Sequence, residues 1–144
     1  MRVALAVARF YDELADRLVA GARAELADAG IGEGQIDEFI VPGAFELPMV
    51  ARLAAETGRY DAVICLGAVI RGEMSHYDYV CGEAARGIQD VQLTTGVPCG
   101  FGVLTVENRE QAMTRSGGDK RDSGRHAAAA VLALLEVKRR LAAG

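Results

Sequence analysis

The chain has 144 residues, of which 51% are hydrophobic and 25% charged, a balance that excludes disorder and low complexity. A formal net charge of −4 argues against general nucleic-acid binding, which needs a basic face for the phosphates. No apolar run is long enough for a membrane span, and the first one meets Arg9, Asp12 and Glu13 too soon for a signal peptide, so a soluble cytoplasmic domain is expected.

Val3 to Ala8 is a continuous apolar run, the pattern of a strand buried on both faces. Leu14, Leu18, Ala22 and Leu26 recur at helical spacing, and Gly30 stands where a helix can end. Ile36 to Val41 reads as a second strand, stopped by Pro42-Gly43. Leu47, Val50, Ala51 and Ala54 form one face of a helix, whose Pro48 is tolerable only in the first turn. Ala62 to Gly67 is the clearest buried strand, and Tyr77, Val80, Cys81, Ala84, Ile88 and Val91 then form a helical stripe. Cys99 to Leu104 reads as a fourth strand, Glu110 to Arg115 as a short helix and Ala127 to Leu141 as a long one. Between the two helices, Ser116 to Gly124 reads as a polar loop. Apolar strands alternating with helices predict an α/β, flavodoxin-like three-layer domain, with a four-stranded parallel sheet covered by helices on both faces. One domain accounts for residues 1–144.

Ligands of such sheets bind at the loops leaving the C-terminal strand ends. Here these are Arg9-Phe10-Tyr11, Pro42 to Glu46, Gly67 to His76, and Thr105 to Asn108. The third loop carries two glycines and enters a helix, a common way to hold an anion. His76 at that entrance either moves a proton near neutral pH or simply caps the helix. Phe45 and Phe10 are either core residues or walls of an aromatic slot. Glu46 either accepts hydrogen bonds from a ligand or complements a helix dipole. Arg115 suits a phosphate, and equally a helix C-terminus. Lys120, Arg121 and Arg125 read first as a solvated charge run. Cys65, Cys81 and Cys99 include no Cys-x-x-Cys pair, and His76 and His126 have no zinc spacing, so no metal is expected. There is no Gly-rich nucleotide-binding motif.

Collinear motifs carry a resemblance along essentially the whole chain. They are Ala8-Arg9-Phe10, Pro42-Gly43-Ala44-Phe45-Glu46-Leu47-Pro48, Gly67 through Tyr79 with Ile70-Arg71-Gly72-Glu73 and His76-Tyr77-Asp78-Tyr79-Val80, Gly82 to Ile88, and Thr95-Gly96-Val97-Pro98 with Phe101 to Thr105. The chain resembles the lumazine synthase family. That resemblance implies condensation of 5-amino-6-ribitylamino-pyrimidinedione with 3,4-dihydroxy-2-butanone 4-phosphate, without metal or organic cofactor. It implies that Phe10, Ala44, Phe45, Glu46, Ile70 and Phe101 bind the ring or ribityl substrate, and that Gly72, Glu73, Met74 and Arg115 bind the phosphate. His76 is implied as the acid/base, and Phe101 and Arg115 as contributions from a neighbouring subunit of a pentamer or a multiple of it. Neither nucleic acid nor membrane is an expected partner.

The chain departs from the family pattern at several points. Tyr11 stands where Asn is usual and is a poor helix cap; Met74-Ser75 replace a Thr or Thr-Pro before the histidine. Ser123 occupies the position of an active-site lysine, for which Lys120 or Arg121 are candidate substitutes. The chain begins at its first core strand and is expected to lack the N-terminal extension that family members lay against a neighbouring subunit's sheet. The absent lysine motivates an alternative, a non-catalytic flavin- or lumazine-binding member of the same fold, and the family's assembly of pentamers into larger particles a third, a mainly structural shell-forming member.

Overall fold

Two strands are buried along their whole length, β1 (Val3–Ala8) and β3 (Ala62–Ile70). They pair in parallel at the centre of a sheet ordered β2-β1-β3-β4, with β2 (Ile36–Val41) and β4 (Cys99–Val106) at the edges. The computed structural model describes residues 1–73, 75–117 and 121–144. The connections are α1 (Asp12–Asp28), α2 (Leu47–Glu56), α3 (Tyr77–Thr95), α4 (Arg109–Arg115) and α5 (Ser123–Ala142). The all-parallel order is the flavodoxin-like α/β arrangement expected from the alternating pattern.

Alternation along each strand divides the core into two layers. Val3, Leu5 and Val7 join Ile64, Leu66 and Ile70 under α1, α4 and α5, with Leu14, Leu18, Ala112 and Val131. On the other face Ala4, Ala6 and Ala8 join Val63, Cys65 and Val69 under α2 and α3, with Leu47, Ala51, Ala84 and Ile88. Each fully buried Leu, Ile or Val contributes about 1.5–3 kcal/mol of transfer free energy, which is why the apolar runs dictate the layers. Gly30, with φ +87°, ends α1 as anticipated.

Three boundaries differ from the sequence expectation. β3 continues through Gly67 to Ile70, because those residues pair with Val103 to Val106 and remain buried. Correspondingly β4 runs on through Thr105 to Val106. α5 begins at Ser123 rather than Ala127, because the Asp122 carboxylate accepts the Arg125 N–H at 3.0 Å and caps it. Gly124 therefore belongs to a helix. A Cβ on Gly124 would lie 2.1 Å from the Leu18 carbonyl oxygen, so glycine there permits α5 to cross α1 at close range. Among the described residues, no helix is long and apolar enough to cross a membrane.

Candidate active site

β1 is the point from which the chain travels to β2 on one side and to β3 on the other, so a crevice opens between the ends of β1 and β3. Phe10 leaves β1 there with 61% of its surface exposed, so it is a wall rather than a core residue. Tyr11 follows as the residue preceding α1, makes no side-chain cap, and meets the Phe10 ring edge-on with centroids 4.9 Å apart. After β2, Ala44 is buried while Phe45 is 57% exposed beside Pro48 and Met49 on α2 and Gly87 on α3. Glu46 closes the turn by accepting the Gly43 N–H at 3.0 Å through one carboxylate oxygen. It thus has a structural role, with its second oxygen outside that contact.

The loop after β3 is shorter than the sequence pattern implied. Gly67 lies within the strand, where a Cβ would meet that of Ala8 at 3.0 Å, so it is a packing glycine and not an anion cradle. Ile70 is wholly buried, so within one chain it supports the loop from below and offers no exposed surface to a ligand. Gly72 donates its N–H to the Glu107 carbonyl at 3.1 Å, so that donor is already used. Arg71 reinforces the same junction: its guanidinium reaches Glu107 at 3.1 Å and Asp78 at 3.4 Å and lies 4.2 Å from the Tyr77 ring centroid. His76 precedes α3, exposed, with no capping bond from its side chain. The helix-cap reading of His76 therefore fails, and the imidazole faces solvent at the strand ends.

Glu73 is held differently. Arg109, the first residue of α4, reaches its two carboxylate oxygens at 2.9 and 3.1 Å. The same guanidinium lies 5.1 Å from the centroid of the Tyr11 ring. Tyr11 is only 7% exposed, and its hydroxyl is buried with no hydrogen-bond partner. Leaving such a group unsatisfied costs about 1–3 kcal/mol. Burial first, and the Glu73 charge second, push the phenol pKa up, so at neutral pH it remains a protonated donor. Tyr11 was legible only as a poor cap, and Arg109 carried no sequence signal, because residues 11, 73 and 109 meet only in the folded chain.

Arg115 and Phe101 make no hydrogen bond, ion pair or ring contact with this group among the described residues. Arg115 ends α4, whose Ala112 packs into the α1/α5 layer, whereas His76 opens α3 in the opposite layer. The carbonyls of Met113 and Gly117 flanking Arg115 accept from Arg17 at 3.1 and 3.4 Å, fixing that end against α1. Arg115 itself has no ion-pair partner among the described residues. Phe101 is 43% exposed on the edge strand, in register with Cys65 and five residues short of Val106. At about 3.3 Å per residue it lies roughly 16 Å below the strand end. Met74 and Lys120 lie outside the described residues. Ser123 is half-buried in the first turn of α5, and Arg121 is exposed.

Elsewhere a hollow of about 430 Å³ lies between α1 and the start of α5, lined by Arg17, Gly21, Ser116, Asp122 and Arg125. Its cations are engaged: Arg17 donates to Ser116 Oγ at 2.8 Å, and Arg125 pairs with Glu25 at 3.0 Å and Asp28 at 3.1 Å. Among the described residues, no three His, Cys, Asp or Glu side chains converge as metal ligands. Cys65 and Cys99 are buried free thiols, and burial pushes Cys99 up to about 11, as befits small hydrophobes rather than nucleophiles.

Comparison with known proteins bears on the same residues. A family model described as 6,7-dimethyl-8-ribityllumazine synthase matches residues 1–139. A protein of Deinococcus radiodurans with that name is 48% identical over 136 residues, covering 94% of this chain and 86% of its own.

Proposed function

The chain belongs to the 6,7-dimethyl-8-ribityllumazine synthase family, and from that premise we propose that it condenses 5-amino-6-ribitylamino-pyrimidinedione with 3,4-dihydroxy-2-butanone 4-phosphate in riboflavin biosynthesis. The observation that carries the reading is the placement of Phe10 and of Glu73 with His76 on the two sides of the β1/β3 crevice. A flat ring, a phosphate and a proton carrier can meet there.

In this reading Phe10 stacks on the pyrimidinedione, and the turn Ala44-Phe45-Glu46 holds ring and ribityl groups, with the second Glu46 oxygen accepting from hydroxyls. Ile70 ends the strand beneath the ring, and Gly72 and Glu73 border the phosphate. The substrate amine attacks the ketone, and His76 delivers a proton to the departing hydroxyl, so water leaves and an imine forms. Loss of a carbon-bound proton then expels phosphate, which an arginine neutralises. The resulting enol returns to a carbonyl, the ribityl-bearing nitrogen attacks it, and a second water leaves as the ring closes. Orientation of two polar substrates supplies most of the acceleration, and no step calls for a metal or organic cofactor.

The site is completed, we infer, by a second copy of the chain in a cyclic pentamer or a multiple of it, with Arg115 and Phe101 facing the His76 loop of the neighbour. Their separation from His76 within one chain supports this. The three unpaired thiols fit a reducing cytoplasmic setting.

Mixing both substrates with purified protein tests the reaction. Lumazine absorbance and inorganic phosphate should rise together, at a rate that chelator leaves unchanged. Ser123 at the position expected to hold lysine favours a second reading, in which the protein binds lumazine or flavin without turnover. Tight lumazine binding with no phosphate release would establish that reading and overturn the first.

A further inference from the structure

The phosphate side of the site holds two like charges. Glu73 stands beside the place assigned to a phosphate dianion, and two anions there repel. In the unliganded chain its charge is balanced by Arg109, which contacts both of its oxygens. That pair is open to solvent, with about a third of the Glu73 side chain and nearly two-thirds of Arg109 exposed, so it is weakly held. The Tyr11 ring centroid lies 5.1 Å from the Arg109 guanidinium, and the buried hydroxyl of that ring has nothing to donate to.

Building on the condensation reading, we propose that Arg109 is a second phosphate-binding cation and that Tyr11 is a positioning residue that releases it. When the phosphate of the four-carbon substrate arrives, Arg109 turns from Glu73 towards the dianion, which attracts a guanidinium more strongly than a single solvated carboxylate does. The Tyr11 hydroxyl then donates to the vacated Glu73 carboxylate. Every polar group is satisfied in the loaded state, whereas the empty state leaves the hydroxyl idle. The gain therefore enters as affinity for phosphate.

Inorganic phosphate is the probe, titrated calorimetrically into the full chain, with steady-state kinetics alongside. Tyr11→Phe should raise both the phosphate Kd and the KM of the four-carbon substrate about three- to tenfold. Its kcat and its KM for the pyrimidinedione should stay within about twofold, and its melting temperature should not fall, because an idle buried hydroxyl is removed. Arg109→Gln should weaken phosphate about tenfold or more, and Arg109→Lys should recover part of that. The double variant should be no worse than Arg109→Gln, since Tyr11 acts only by freeing Arg109. Wild-type phosphate affinity in Tyr11→Phe, fully additive losses in the double variant, or no phosphate binding by the wild type at millimolar concentration would each overturn the inference. Absence of lumazine production, by contrast, would remove the condensation reading while the phosphate titration still decides the exchange.

Discussion

In the proposed reading Arg115 neutralises charge and His76 transfers protons, and the two differ in what can replace them. A guanidinium without an ion-pair partner among the described residues is available in full to a phosphate, and a charge-assisted bond of that kind is worth about 1.5–3 kcal/mol. The imidazole of His76 faces solvent, where water and the substrate amine can carry part of its proton traffic. Arg115→Ala should therefore lose about 10- to 100-fold in kcat/KM, and more than His76→Ala does. Steady-state kinetics decides, and a slower His76→Ala protein would make proton transfer, rather than charge neutralisation, the more demanding task. The exposed aromatic side chains were ambiguous in sequence, because a phenyl after a strand is read equally well as core or wall. Only the exposure of Phe10 and Phe45 in the folded chain separates the two.

Helices and strands were legible to the extent that apolar periodicity is uninterrupted. β1, β3 and the α3 stripe stand out because both layers of the core demand them. What misled was glycine. Gly124 follows polar residues and so reads as loop, and Gly67 reads as the point where a strand gives way to one, yet both are packing contacts inside regular elements. The start of α5 tests this directly. An alanine at 124 places a Cβ against the Leu18 carbonyl, and backbone cannot yield as a flexible side chain does, so Gly124→Ala should destabilise by about 1–3 kcal/mol. Asp122→Ala, which removes the cap, should cost about 0.5–2 kcal/mol. Urea unfolding should show both as lower midpoints at an unchanged slope, with Gly124→Ala lower. A neutral Gly124→Ala would mean that the α1–α5 crossing has room to spare. The Tyr11–Arg109–Glu73 group escaped sequence reading for a different reason: its members come from three separate places in the chain, and no local pattern links them.

For the assembled molecule, the packing of α3 and α4 on opposite faces of the sheet makes a complementation experiment informative. His76→Ala and Arg115→Ala chains, unfolded together and refolded as mixed rings, should regain activity well above either alone. With random assembly about a quarter of the sites pair an intact His76 with an intact Arg115. No recovery would mean that both residues serve one chain's own site. The seating of α5 on α1 has a consequence of another kind. Ala127, Ala128 and Val131 seal the layer begun by Val3, Leu5, Leu14 and Leu18, so residues made early are covered by residues made much later. During synthesis β1, α1 and β2 can associate early, but their outer apolar layer stays open until the last helix of the fold has left the ribosome. The emerging chain is therefore most exposed to self-association until α5 emerges, and substitutions at the α1–α5 crossing will lower the yield of soluble protein by more than their effect on equilibrium stability alone.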